Sequence, residues 1–320
     1  MTISILGAGA FGTSLAIALA QKSPVVLWAR DTQHVTDMHT QGENARRLPG
    51  APFPPHLTIT ASLKEALKSN IILVAVPLQL LGAFLQENTH AFSGKKLVAC
   101  SKGVDRATGE GPVDLITRLV PNASAAIITG PSFAADIAQG LPTALSIACS
   151  DEIIGTDLQT RLSTPTLRLY RSTDIIGAQF GGALKNVIAI ACGAAIGAKL
   201  GDSARAALMT RGFAEMHRFA IHFGAEPQTL AGLSGFGDLV LTCTSELSRN
   251  YRYGYALGAK RPFDQATTVE GAATSLAVSS LCELHKLDMP ITQSIAAIVE
   301  NKSTVSAEMN FLLSRPLKEE

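Results

Sequence analysis

Ile3-Ser4-Ile5-Leu6-Gly7-Ala8-Gly9-Ala10-Phe11-Gly12 decides how this 320-residue chain is read. A short apolar strand, opening from Met1, runs into a GxGxxG turn, and an apolar, Ala-rich segment predicted as a helix over Phe11 to Gln21 follows. Each glycine has its own reason. Gly7 permits the tight turn, Gly9 lets backbone approach a pyrophosphate, and Gly12 lets the helix pack close on the strand. The pyrophosphate then rests on amide N–H groups at the positive end of that helix. Three glycines in six residues recur in ordinary loops, so the flanking strand and helix are what make this a dinucleotide-binding start. Ala10 and Phe11, at the head of the helix, are predicted to share in cofactor contact.

Working outward, Val25 to Trp28 reads as a second strand and Asp31 to Thr40 as a helix, which completes a first βαβ unit. The Pro-rich passage Leu48-Pro49-Gly50-Ala51-Pro52-Phe53-Pro54-Pro55 is predicted to be irregular, with a short strand after it at Leu57 to Thr60. Ile71 to Val76, Leu97 to Cys100 and Ala125 to Ile128 are continuous apolar runs, the pattern of strands covered on both faces. Ala144 to Ala148 and Leu167 to Tyr170 are two further candidates. From Asp174 the β pattern stops and small-residue helical periodicity continues to Glu308. The expected class is α/β, with an N-terminal Rossmann-type doubly wound sheet over residues 1–173 and a C-terminal all-helical substrate domain over 174–320.

Composition narrows the function classes. With 47% hydrophobic and 17% charged residues the chain can bury a large core. The formal charge of +1 leaves no basic field to gather nucleic acid or an anionic membrane. Cys100, Cys149, Cys192, Cys243 and Cys282 are widely spaced in apolar surroundings, as reduced thiols of a cytoplasmic protein are. No spacing of potential ligands reads as a metal site. The first twenty residues lack the basic start of a secretion signal. Asn186 to Ala198, the longest apolar stretch, is too short and too rich in small residues to span a bilayer.

Charged residues at strand ends and on apolar helices point to chemistry. Arg30 and Asp31 stand about twenty residues past the glycines, where an acid bonds a ribose 2′-hydroxyl or an arginine meets a 2′-phosphate. Arg30 suits NADP, whereas Asp31 serves as well as a helix N-cap; NADP is favoured over NAD on this ground. Lys102 follows a strand directly, at the carboxyl end where ligands of open sheets gather, and is a candidate partner for an anionic or carbonyl oxygen. Gly130 and Ser132 follow the next strand and offer backbone and hydroxyl donors. Lys185 and Asn186 interrupt an otherwise apolar helix. Burial of an ammonium is costly and favours its neutral form, which suits proton exchange. Gly181, Lys185, Ala189 and Gly193 share a face, so small neighbours are expected to leave room for a substrate beside the amine. Asp238, in a Gly-rich turn before an apolar helix, reads equally as an N-cap and as a functional acid. Ser248, Arg249 and Asn250 open another helix with several donors and a favourable dipole, which suits a phosphate.

GAGAFGTSLA, SKGV, GPSFA, GGALKNVIAIACG, SGFGDLVLTC, SRN and VEG follow one another here in the order of the bacterial NAD(P)-dependent glycerol-3-phosphate dehydrogenases, which the chain resembles over nearly its whole length. The resemblance implies an enzyme that interconverts dihydroxyacetone phosphate and sn-glycerol 3-phosphate for phospholipid synthesis. Lys185 matches the family's catalytic lysine. Lys102 matches a lysine shared between substrate and cofactor, and Asp238 an acid beside the catalytic amine. Gly130, Ser132, Ser248, Arg249 and Asn250 match substrate contacts. Ala134, Arg249 and Glu270 match cofactor contacts. Phe11 stands where many members carry tryptophan or tyrosine, and Thr268-Val269 where some carry a doubled valine. β-Hydroxyacid dehydrogenases share the plan and a helix lysine followed by asparagine, but need carboxylate recognition in place of a phosphate grip. A nonenzymatic NAD(P)H sensor has no use for Lys185 or Asp238. The apolar helices near the end of the chain either bury a homodimer interface or close the domain.

Overall fold

A computed structural model describes residues 2–265 and 267–316 of the chain. Met1 and residues 317–320, at the two ends of the predicted domains, lie outside the described residues. Two compact units emerge: one holds the residues up to Lys102 together with Gly111–Gln179, the other Gly103–Glu110 and the described residues from Phe180 onward.

The first unit begins β1 (Ile3–Leu6), α1 (Ala10–Ala20), β2 (Val25–Trp28), α2 (Thr32–Gln41), β3 (Glu43–Asn44), β4 (Leu48–Pro52), β5 (Leu57–Thr60) and α3 (Leu63–Ala66). It continues with β6 (Ile71–Val74), α4 (Leu78–Phe92), β7 (Lys96–Ala99), α5 (Pro112–Leu119), β8 (Ser124–Thr129), α6 (Ala134–Ala138), β9 (Thr143–Ala148), α7 (Glu152–Leu162) and β10 (Leu167–Ser172). Eight strands form one sheet in the order β10-β9-β8-β7-β6-β1-β2-β5. Neighbours run parallel except β8 and β9, which pair antiparallel. The apolar runs fill both faces. Ile5, Leu73 and Val98 enter one core cluster while their chain neighbours Leu6, Ile72 and Leu97 enter another. Every residue of β6 is at most 2% exposed, and each such side chain contributes about 1.5–3 kcal/mol of transfer free energy.

The Pro-rich passage is a correction to the sequence reading. Leu48–Pro52 is a strand, paired antiparallel with Glu43–Asn44 in a separate two-stranded ribbon whose register shifts between those two residues. Proline is tolerated in so short and bulged an edge ribbon because few of its N–H groups are needed by a ladder.

The second unit is helical: α8 (Ile175–Gly197), whose first turn belongs to the first unit, α9 (Asp202–His222), α10 (Pro227–Ala231), a π-helical turn at Leu233–Gly237, α11 (Asp238–Thr244), α12 (Arg249–Gly258), α13 (Glu270–His285), α14 (Pro290–Val299) and α15 (Val305–Ser314). At 23 residues α8 is longer than the stretch marked from sequence, and by length and composition it is long and apolar enough to cross a membrane. It is buried along nearly its whole length, as the central helix of a protein core is. All five cysteines are buried and free.

Candidate active site

In the first unit the nucleotide turn has the shape its glycines imply. Gly7 adopts φ +117°, and a Cβ there would stand 2.7 Å from the Ala75 carbonyl oxygen. A Cβ on Gly12 would collide with the Gly7 carbonyl oxygen, so close approach of α1 to the turn demands glycine. Gly9 differs: it is exposed, nothing lies within 4 Å of where its Cβ would be, and it precedes α1 without a side-chain cap. That open cradle before the N–H groups of an 11-residue helix fits a dinucleotide pyrophosphate. Ala10 and Phe11 form the half-buried first turn of α1, and Phe11 packs on the core.

Beyond the carboxyl ends of β7 and β8, Lys102 Nζ and Ser132 Oγ each donate to the Gly130 carbonyl oxygen at 3.4 Å. Both contacts are long for hydrogen bonds. Ala134 opens α6 just after Ser132 and is half-buried. Ser101 and Thr129, the residues immediately before Lys102 and Gly130, are 6% and 0% exposed. Their hydroxyls have no hydrogen-bond partner, an unusual cost that a polar ligand at these strand ends would remove. Arg30 is exposed after β2, and Asp31 is the N-cap of α2, accepting from Gln33 N and His34 N.

The second unit brings Lys185 and Asp238 together. Lys185 lies in the middle of α8, 6% exposed. Its Nζ donates to Asp238 Oδ1 at 2.9 Å and to Thr242 Oγ1 at 2.6 Å, and Thr242 Oγ1 in turn donates to Asp238 Oδ1 at 3.2 Å. Local backbone explains how Asp238 comes there. A Cβ on Gly181, one helical turn before Lys185, would stand 2.7 Å from the Ser234 carbonyl oxygen, and one on Gly235 would strike the Leu230 carbonyl oxygen. Two glycines thus admit the π-helical turn against α8, and the turn delivers Asp238, 1% exposed, to the ammonium. Such turns recur at functional sites. Asp238 is therefore the first residue of α11 with its carboxylate on Lys185; the N-cap role is corrected. A buried ion pair adds little net stability against the cost of desolvating both groups, so its presence fits a chemical role better than a structural one.

The expectation that glycines on α8 leave room beside the amine is corrected too. Side chains at Gly193 and Gly197 would strike the carbonyl oxygens of Tyr251 and Tyr255, and side chains at Gly254 and Gly258 would strike those of Ile190 and Ala194. The glycines are spent on backbone contact between α8 and α12. That contact fixes the start of α12, where Ser248 is the N-cap, accepting from Tyr251 N at 3.2 Å, and Arg249 is exposed at the first helical position. Asn250, buried, donates through Nδ2 to Asn186 Oδ1 at 2.9 Å and accepts from Gly271 N at 2.9 Å. Through Asn186, the neighbour of Lys185, the predicted phosphate grip is tied to α8. Through Gly271 it is tied to Glu270 at the head of α13.

Within each unit, then, predicted residues meet: Lys102, Gly130 and Ser132 in one, Lys185, Asp238, Asn250 and the Glu270-Gly271 step in the other. Thr242, Asn186, Ser101 and Thr129 were not predicted as site residues. The first was within reach of sequence, since Asp238 and Thr242 are spaced i, i+4 on one helix face.

Residues 2–154 match the family described as NAD-dependent glycerol-3-phosphate dehydrogenase N-terminus, and residues 174–310 match the corresponding C-terminus. Glycerol-3-phosphate dehydrogenase [NAD(P)+] of Roseobacter denitrificans is 58% identical over 320 residues, and that of Ruegeria sp. (strain TM1040) 56%, each alignment covering 100% of both chains. The crystal structure of glycerol-3-phosphate dehydrogenase from Coxiella burnetii superposes with a TM-score of 0.93 at 36% identity, covering 98% of this chain and 99% of that one. With its turn, its buried lysine pair and its helix-start donors set out above, the chain belongs to the NAD-dependent glycerol-3-phosphate dehydrogenase family.

Proposed function

We propose that this chain reduces dihydroxyacetone phosphate to sn-glycerol 3-phosphate, and reverses that reaction, with Lys185 moving the proton. The observation that carries the reading is the buried ammonium of Lys185 clasped by Asp238 and Thr242. NADPH or NADH, when bound, supplies the hydride that reduces the ketone carbon. The chain's own residues do the rest. The Lys185 ammonium polarises the carbonyl oxygen and then donates its proton to the alkoxide, becoming an amine; in the oxidative direction the amine takes the proton back. Asp238 holds the ammonium in one orientation, and Thr242 fixes both. The N–H groups and side chains of Ser248, Arg249 and Asn250 at the start of α12 bind the substrate phosphate. Because Ser248 Oγ is an acceptor in its cap bond, its O–H is left to donate. Lys102, Gly130 and Ser132 contact the substrate, and Gly7, Gly9, Ala10, Phe11, Gly12, Arg30, Lys102, Ala134, Arg249 and Glu270 the cofactor.

We assign cofactor binding to a domain of residues 1–173 and substrate binding to 174–320. The product feeds glycerophospholipid synthesis, and the cytoplasm is the compartment that fits five free, buried thiols. A homodimer is the assembly we favour, on the exposed apolar side chains of Leu284, Phe311 and Leu313. The test is NADPH absorbance on adding dihydroxyacetone phosphate, with unphosphorylated dihydroxyacetone as the control. Oxidation with the phosphate ester and less than about a hundredth of that rate without it is expected, since uniform and transition-state binding of the phosphate are lost together. Equal rates with both substrates, or none with either, would overturn the reading.

A further inference from the structure

Which end group of the cofactor this chain selects is written in the ribbon that follows α2. Asp31 occupies the position from which an acid recognises a ribose 2′-hydroxyl, but both of its carboxylate oxygens are in use. Oδ1 accepts from Gln33 N at 3.0 Å and His34 N at 3.3 Å, and Oδ2 accepts from Arg46 Nη1 at 3.2 Å. The His34 amide above all, with Gln33 and Arg46 adding to it against the effect of burial, holds the Asp31 carboxyl below its ordinary range. It therefore stays anionic and keeps its hold on Arg46.

Arg46 is placed by a buried anchor two residues before it. Asn44 is fully buried, and its Nδ2 donates to the Ala8 carbonyl oxygen at 3.0 Å and to Thr13 Oγ1 at 2.8 Å. Its Oδ1 meets His34 Nε2 at 2.8 Å and accepts from Arg47 N at 3.2 Å. Ala8 lies between Gly7 and Gly9, Thr13 lies in α1, and His34 lies in the first turn of α2. One amide thus fastens the ribbon to the nucleotide turn and to the helix that Asp31 caps. The Arg46–Asp31 pair itself is exposed, at 58% and 53% for the two side chains. Such pairs add little to stability, so a fold would gain almost nothing by keeping this one for that purpose.

We propose that Arg46, held by Asp31 and by the Asn44 anchor, binds the 2′-phosphate of NADP(H) alongside Arg30 and is what makes the chain select NADP over NAD. This rests on the dehydrogenase reading above and deepens it. The contact with Asp31 uses one nitrogen of the guanidinium; the planar fork suits a dianionic phosphate better than any single-donor side chain. Asp31, ion-paired with Arg46, acts as a positioning residue.

The test compares wild type, Arg46→Ala and Arg46→Lys. Initial rates with dihydroxyacetone phosphate are taken with NADPH and with NADH, and adenosine 2′,5′-bisphosphate and ADP are titrated by calorimetry. Arg46→Ala is expected to raise KM for NADPH and Kd for the bisphosphate about tenfold or more, as loss of a charge-assisted contact does. KM for NADH and Kd for ADP stay within about twofold, and Arg46→Lys recovers part of the loss. An unchanged NADPH to NADH ratio, or equal weakening of all four ligands, would overturn the proposal. Should wild type reduce no dihydroxyacetone phosphate, the parent reading fails while the titration still decides on Arg46.

Discussion

Asp238 shows how one side chain gathers a site. In the sequence it stands after Gly235-Phe236-Gly237, where an acid before an apolar helix is normally a cap. What the local pattern hides is the partner 53 residues earlier, Lys185, which reaches it only because Gly181 and Gly235 let backbone touch backbone. Lys185 itself was legible, because an ammonium in an apolar helix calls for an explanation. Asp238 was legible only as one of two readings, because a contact between distant residues leaves no local signature. Removing the carboxylate leaves a buried ammonium without its counter-charge. Asp238→Ala is expected to lower the free energy of urea unfolding by about 3–5 kcal/mol, and a loss under about 1 kcal/mol would mean that the pair relaxes into solvent.

Elements were read well where their pattern is local and poorly where it is not. The strands covered on both faces announce themselves as apolar runs, α1 as an apolar, Ala-rich segment after the glycine turn, and α2 as a helix between the second strand and the Pro-rich passage. Leu48–Pro52 does not, because a ribbon set by Asn44 and a register shift carries no alternation. Glu215 is a second such case. It lies in α9, 3% exposed, and accepts from Ile291 N at 2.6 Å, Thr292 N at 3.0 Å and Thr292 Oγ1 at 2.9 Å, so it caps α14 from another helix. Burial, outweighing these bonds, pushes its pKa from 4.5 to about 7. An acid whose pKa is raised by folding binds its proton more tightly in the folded state, so the stability it contributes is lost as pH rises through that window. The difference in unfolding free energy between wild type and Glu215→Gln, followed by urea titration, is expected to fall by about 3 kcal/mol between pH 4.5 and pH 7. A difference that stays constant with pH would show that Glu215 does not titrate there.

Across the whole molecule, the glycine turn and the Asn44 anchor belong to the first unit and the Lys185–Asp238 pair to the second. Gly7, Gly9, Gly12, Arg46 and Asn44 lie in one; Lys185, Asp238, Thr242 and the start of α12 lie in the other. The claim that matters most is that Lys185 moves the proton. Enzyme loaded with NADPH is mixed with dihydroxyacetone phosphate in a stopped-flow instrument, wild type beside Lys185→Ala, and the single-turnover loss of NADPH absorbance is recorded. NADPH affinity is expected to be the same in both, with the rate of the variant reduced about 10²–10⁴-fold. A Lys185→Ala enzyme that binds NADPH normally and oxidises it at the wild-type rate would contradict the account.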